Sequence, residues 1–182
     1  MSIKKWNAQL ALLTFILLLI HEAYQLFAYI TFYYNPILSK VTAYAVAGCF
    51  ALHAILSIVI VFAMHDSKSV AYKKLNLRLV IQRVSAAAMI LLLPLHILSF
   101  GLLQSSVGGA GYVLIEIAQI LFYAAMFTHI ATSFASSLVT LGRLEDMRKK
   151  QIIDRVMIVI CALLFIAVSV VITVTHTMIF QV

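Results

Sequence analysis

The stretch QRVSAAAMILLLPLHILSF, Gln82 to Phe100, decides how this chain is read. It is apolar enough to lie in a membrane, yet it carries His96 two residues after Pro94, deep inside the run. A polar ring in hydrocarbon is costly unless it is bonded or ligated. The rest of the chain has the same character. Of 182 residues, 64% are hydrophobic and 10% are charged, with a mean hydropathy of +1.09. Water-soluble domains carry about 25% charge. The composition predicts an all-α membrane protein, a single unit over residues 1–182, with no polar stretch long enough to fold separately. MSIKKWNAQL opens like a signal peptide, but the apolar run continues to Tyr34 with no small-residue cleavage site, which predicts an uncleaved first span.

Five runs are long enough to cross roughly 30 Å of hydrocarbon. They cover residues 8–33, 41–64, 79–104, 112–139 and 152–178. Polar breaks separate them at 33–36, 65–78, 104–111 and 142–151. The net charge of +7 would suit nucleic acid, but its placement has another cause. Lys4, Lys5, Lys68, Lys73, Lys74, Arg78, Arg83, Arg143, Arg148, Lys149, Lys150 and Arg155 fall on one side, and only Lys40 on the other. The bias of basic residues toward the cytoplasm predicts an N-terminus inside and a C-terminus outside. No nucleic-acid partner is expected. Cys49 and Cys161 lie inside apolar runs and read as packing residues. There is no CxxCH sequence, which excludes covalent haem attachment.

Six histidines remain to be explained. His65 and His176 fall at span ends and read as interfacial. His21, His53, His96 and His129 lie well inside the first four spans, one in each. Each alone reads equally well as a polar helix contact. Four together suit iron, because two neutral imidazoles clamp a haem from both faces. Counted from the cytoplasmic ends, His53 and His129 lie roughly 15 Å deep, His21 roughly 20 Å and His96 roughly 25 Å. The depths pair spans 2 and 4 at an inner haem and spans 1 and 3 at an outer one.

The helix faces agree with these positions. At ~100° per residue, Thr14, His21 and Gln25 share a stripe, as do Gln82, Ser85 and His96, and His129, Ser133, Ser136 and Thr140. The hydroxyls of Ser133 and Ser136 could bond haem propionates or their own helix carbonyls. Pro94 removes one backbone bond; a kink there would open room for a macrocycle or merely serve packing.

These residues resemble the five-helix, two-haem cytochrome b anchor of succinate:quinone oxidoreductases. LLLIHEAYQ in span 1, FALHAILSIVIVFAMHD in span 2, IQRVSA with LPLHILSF in span 3, and FTHIATSF in span 4 carry the match. The resemblance implies two haem b groups, His21 and His96 holding the outer and His53 and His129 the inner. It implies a flavoprotein subunit with FAD and an iron–sulfur subunit as partners, and menaquinone or another quinone as substrate. It places the complex in a bacterial or archaeal cytoplasmic membrane, among lipid, with a higher oligomer of the complex open. Arg83, at the start of span 3 beside Gln82 and Ser85, is then expected to neutralise an inner-haem propionate. The family glycine after Arg-Val-Ser/Thr is Ala86 here.

The chain would do no carbon chemistry itself, since it has no Gly-rich nucleotide loop, no cysteine cluster and no nucleophile triad. Glu22 and Glu116 are the carboxylates in the outer halves of the spans, and either is a candidate proton acceptor for quinol. Near the outer boundary, Glu116 reads at least as well as a solvated side chain. Some family members carry a glutamate two residues before the helix-4 histidine, where this chain has Phe127. Two other readings stay open: an anchor of another quinol-linked oxidoreductase, and a haem-free transporter or proton-conducting bundle.

Overall fold

The computed structural model of the chain describes residues 2–63, 73–105 and 109–180. His65 and Lys68, with parts of the breaks at 65–78 and 104–111, lie outside the described residues. Five α-helices follow in order: α1 (Ile3–Thr31), α2 (Pro36–Ala63), α3 (Lys73–Ser105), α4 (Ala110–Thr140) and α5 (Met147–Phe180). The described residues contain no β-strand. All five helices are long and apolar enough to cross a membrane, so the chain is an all-α, multi-pass protein. Large apolar side chains face outward along their length, including Phe62, Leu91, Ile37 and Tyr44. Such a surface would aggregate in water and is satisfied in lipid.

Each helix starts before the apolar run that predicted it, because capping chemistry lies outside the hydrophobic stretch. α2 starts at Pro36, five residues before the expected boundary. Proline suits the first helical position. Asn35 caps it, its Oδ1 accepting from the amides of Ile37 at 3.0 Å and Leu38 at 3.2 Å. Asp146 caps α5 the same way, accepting from the Arg148 amide at 2.7 Å. Downstream, Lys150 and Asp154 pair at 2.9 Å one turn apart. α4 ends at Gly142, whose φ of 72° is left-handed. The Gly142 amide donates to the Val139 carbonyl and the Arg143 amide to that of Leu138, which is a Schellman closure. Gly142→Ala should cost roughly 1–2 kcal/mol, because Cβ is strained at that φ although nothing crowds it. Thermal melting of the detergent-solubilised protein checks this; an unchanged midpoint would show that the turn relaxes.

The chain forms two compact units, Met1–Asn76 with Ser133–Arg155, and Leu77–Thr132 with Val156–Val182. In the first, α1 and α2 pack as an antiparallel hairpin. The Tyr24 hydroxyl closes its turn, donating to the Asn35 carbonyl at 3.0 Å and accepting from the Asn35 amide at 2.7 Å. Gln25 reaches Ser39 at 2.9 Å. Phe15 and Phe134 meet edge to face, ring centroids 5.3 Å apart.

In the second unit, α4 presents a buried stripe at helical spacing: Tyr112, Glu116, Gln119, Tyr123 and Met126. α3 faces it with Arg78, Gln82, Ser85 and Met89, the last two buried. Arg78 Nε donates to the Thr132 carbonyl at 2.9 Å. α3 continues as one helix through Pro94.

Candidate functional site

All four intraspan histidines are half-buried, and each uses Nδ1 on a helix-to-helix hydrogen bond. His53 Nδ1 lies 3.3 Å from the Asn7 carbonyl and His129 Nδ1 lies 3.0 Å from the Gln82 carbonyl. A carbonyl only accepts, so both nitrogens carry the proton. His96 Nδ1 lies 2.9 Å from Gln119 Oε1. Gln119 Nε2 donates to the Leu95 carbonyl at 3.2 Å, which fixes the amide orientation and makes Oε1 the acceptor. His21 Nδ1 lies 3.2 Å from Thr42 Oγ1. The Thr42 hydroxyl also reaches the Leu38 and Ser39 carbonyls, each at 3.0 Å, and either group of the His21–Thr42 pair is able to donate.

The rings of His53, His96 and His129 thus carry a proton on Nδ1, and His21 also turns Nδ1 to an oxygen. This is how metal-ligating histidines are held: the outer nitrogen donates to an oxygen, orienting the ring and raising its basicity. Imidazole is a ligand type that haem iron accepts, two to each iron. The described residues hold no group of three or more His, Cys, Asp or Glu side chains placed for a bare metal ion.

Within each unit the two histidines sit at two levels. In the first, His53 is level with Asn7 and His21 with Thr42. Asn7 and His21 are fourteen residues apart on α1 and Thr42 and His53 eleven apart on α2, which sets the two levels about 17–21 Å apart at 1.5 Å per residue. In the second, His129 is level with Gln82 and His96 with Gln119; Gln82 and His96 are fourteen residues apart on α3 and Gln119 and His129 ten apart on α4, about 15–21 Å. The sequence depths implied only ~5–10 Å between levels. They fell short because α1 and α3 begin five or six residues before their apolar runs.

The other expected residues fall as follows. The Ser85 hydroxyl is buried and donates to the Gln82 carbonyl at 3.0 Å, turned back on its own helix. Ser133 and Ser136 are half-buried, and their carbonyls accept from Ser137 and Thr140 one turn on. Arg83 is exposed and off the stripe that faces α4; Arg78 is the arginine that reaches α4. Thr14 is half-buried with a buried Oγ1 that has no partner. Glu22 is half-buried on α1, adjacent in sequence to His21.

Glu116 and His176 differ from expectation. Neither is a solvated interfacial side chain: Glu116 is 9% exposed and His176 2%. His176 Nδ1 lies 2.5 Å from Glu116 Oε1, and the Tyr112 hydroxyl donates to the same oxygen at 3.4 Å. Position near a span end suggested exposure, but α5 packs this end of its helix against α4 and covers both groups.

Gln119, Asn7 and Thr42 were not singled out in the sequence. Gln119 carried a signal, a polar residue three positions after Glu116 on an otherwise apolar stripe. Asn7 acts through its backbone, which no side-chain pattern reveals. Around His96, Phe122 stacks at 4.4 Å with the planes 14° apart, and Tyr123 meets the ring edge at 5.7 Å. Gln119→Leu removes the acceptor that orients His96. Losses of this kind weaken metal binding by about 10–100-fold. Haem-retention titration should show one of two haems weakened with the other unchanged; equal retention would show that the Gln119 bond is not needed to place the ring.

Comparison of the chain with family models, with curated proteins and with solved structures returns no match.

Proposed function

We propose that this chain is the two-haem cytochrome b membrane anchor of a succinate:quinone oxidoreductase, carrying electrons between an iron–sulfur subunit and membrane quinone. The observation that carries the haem assignment is the common state of the four imidazoles. One per helix on α1 to α4, each turns Nδ1 to an oxygen of a neighbouring helix, the orientation in which a ligating histidine uses Nε2. A neutral bonding contact between helices would be served by either ring nitrogen; four identical choices favour ligation. The choice of complex, with its flavoprotein and iron–sulfur partners, rests on the sequence resemblance.

His21 and His96 are assigned to the outer haem, His53 and His129 to the inner. A bis-imidazole haem supplies one-electron transfer by cycling its iron between ferrous and ferric states. The chain's own residues orient the imidazoles through Thr42, Asn7, Gln119 and Gln82, and surround them with apolar helix faces that exclude water. The basic segments at the cytoplasmic side, including Arg148, Lys149 and Lys150, suit docking of an acidic partner surface. Quinone reacts on the outer side, where Glu116 and Glu22 are the available proton acceptors. Arg83, Ser133 and Ser136 remain the candidates for propionate contacts, while Ser85 has its hydroxyl committed to Gln82.

An oxidised-minus-reduced spectrum of the purified complex, with pyridine haemochrome analysis, tests this reading. Two haem b per chain are expected. A value near zero removes it in favour of a haem-free transporter or proton-conducting bundle. Two haems without a copurifying flavoprotein point to the anchor of a different quinol-linked oxidoreductase.

A further inference from the structure

A groove of about 430 Å³ opens between the first turns of α1 and the turn that ends α4, inside the first unit. That volume lies within the ~300–1,000 Å³ typical of small-molecule sites. Lys5, Gln9, Leu12 and Ile16 line it from α1, where their spacing puts them on one helix face. Arg143 lines it from the turn that Gly142 closes. The groove changes character along its length. Lys5 and Arg143 supply a basic end, and Leu12, Leu13 and Ile16 extend it about 10–17 Å along α1 from Lys5. Leu13 and Ile16 stay exposed to the apolar phase.

Neither cation has a counter-charge. Among the described residues, the Lys5 ammonium and the Arg143 guanidinium enter no ion pair and no side-chain hydrogen bond. Glu145 and Asp146 follow Arg143 in the chain but do not line the groove, and Asp146 is committed to the α5 cap. Trp6, beside Lys5, is exposed, as an aromatic at headgroup level would be. The bias of basic residues toward one side needs only that they lie there. It does not require two helix ends to bring theirs to the mouth of one apolar groove.

We propose that this groove binds one anionic phospholipid of the cytoplasmic leaflet, its phosphate held by Lys5 and Arg143 and an acyl chain lying along Leu12, Leu13 and Ile16. Basic pockets between membrane helices on that side suit anionic headgroups. The guanidinium offers parallel N–H donors to two phosphate oxygens, and the ammonium a point charge. Gln9, one turn along from Lys5, has an amide to donate to a glycerol-ester carbonyl. A free anion would leave the apolar floor uncovered, and a zwitterionic lipid would add a third cation to the two already there. A lipid held this way clips the start of α1 to the end of α4. The site stands apart from the haem assignment, since none of the four intraspan histidines lines it.

Native mass spectrometry of the full-length chain, released from detergent micelles with added ligand, tests the assignment. The probes are dioleoylphosphatidylglycerol, dioleoylphosphatidylcholine and inorganic phosphate. The variants are Lys5→Gln/Arg143→Gln, Lys4→Gln/Arg155→Gln and Leu13→Trp. Circular dichroism should show the same helix content in all three, because every replaced side chain is exposed. One phosphatidylglycerol should bind in preference to phosphatidylcholine. Lys5→Gln/Arg143→Gln should weaken it roughly 30-fold, the effect of losing two cations beside a lipid phosphate. Lys4→Gln/Arg155→Gln removes the same charge outside the groove and should weaken it far less. Leu13→Trp keeps every charge but fills the apolar floor, and it too should weaken binding. Equal losses in the two double variants would show diffuse attraction to a basic surface and overturn the site. Equal binding of phosphatidylcholine, or displacement of phosphatidylglycerol by equimolar phosphate, would overturn an anionic lipid as the occupant. Undiminished binding in Leu13→Trp would overturn the placement of the acyl chain.

Discussion

His53→Ala and His129→Ala should each remove one haem from the proposed complex, and the same one. His21→Ala and His96→Ala should remove the other. A b haem has no covalent link to the chain, so its retention depends on its two axial nitrogens and the apolar walls around it. Deleting one imidazole leaves the second still bonded at Nδ1 but no longer half of a clamp. Pyridine haemochrome content should fall from two to about one per chain in each single variant. It should remain near one in the double variant His53→Ala/His129→Ala and fall near zero in His53→Ala/His96→Ala. Redox titration identifies which centre is lost. The pairing rests on depth in the sequence; within each unit the two histidines stand at two levels about 15–21 Å apart along the helix axis. Loss of the same haem in His53→Ala and His96→Ala would break the pairing while leaving the ligand set intact.

Turnover of the proposed complex in proteoliposomes should respond to membrane potential. With quinone chemistry outside and succinate chemistry inside, each turnover would move two electrons across the hydrocarbon without compensating protons. Moving one charge through 100 mV is worth about 2.3 kcal/mol, so two are worth about 4.6 kcal/mol. That shifts the reaction's equilibrium constant by roughly 10³-fold. Menaquinone would make succinate oxidation uphill, and an imposed potential of the right sign should drive it; uncoupler should stop it. Fumarate reduction in the reverse direction should build a potential of its own. Phe127 supports the uncompensated case. It stands where some family members have a glutamate, it is buried, and its ring stacks on Tyr123 at 6.5 Å. An aryl ring carries no proton. Turnover indifferent to both potential and uncoupler, or a quinone bound at the cytoplasmic side, would remove the mechanism and leave the two-haem assignment standing.

Helix number and helix order were legible without coordinates, as was the place of one histidine inside each of the first four helices. Crossing hydrocarbon demands about 20 apolar residues per helix, and that demand is written into the chain one residue at a time. Helix ends were less legible. Asn35–Pro36 was visible as a break, but its role as a cap that starts α2 depends on Asn35 Oδ1 reaching two amides.

What required the packed helices was everything that depends on a partner from elsewhere in the chain. Hydropathy says that His96 is inside; it does not say that Gln119 takes its Nδ1 proton. Ser85 looked available for a propionate until its hydroxyl was seen to close on Gln82. Arg83 and Arg78 read alike in a one-dimensional chain, and only the register of α3 against α4 brings Arg78 to Thr132. Glu116 and His176 were assigned to the interface because both stand near span ends. They are sixty residues apart, and their burial follows from α5 lying against α4. The physical reason is the same in each case. Hydrophobicity is a property each residue carries alone, whereas a hydrogen bond needs two groups at about 3 Å, and sequence distance does not encode that separation.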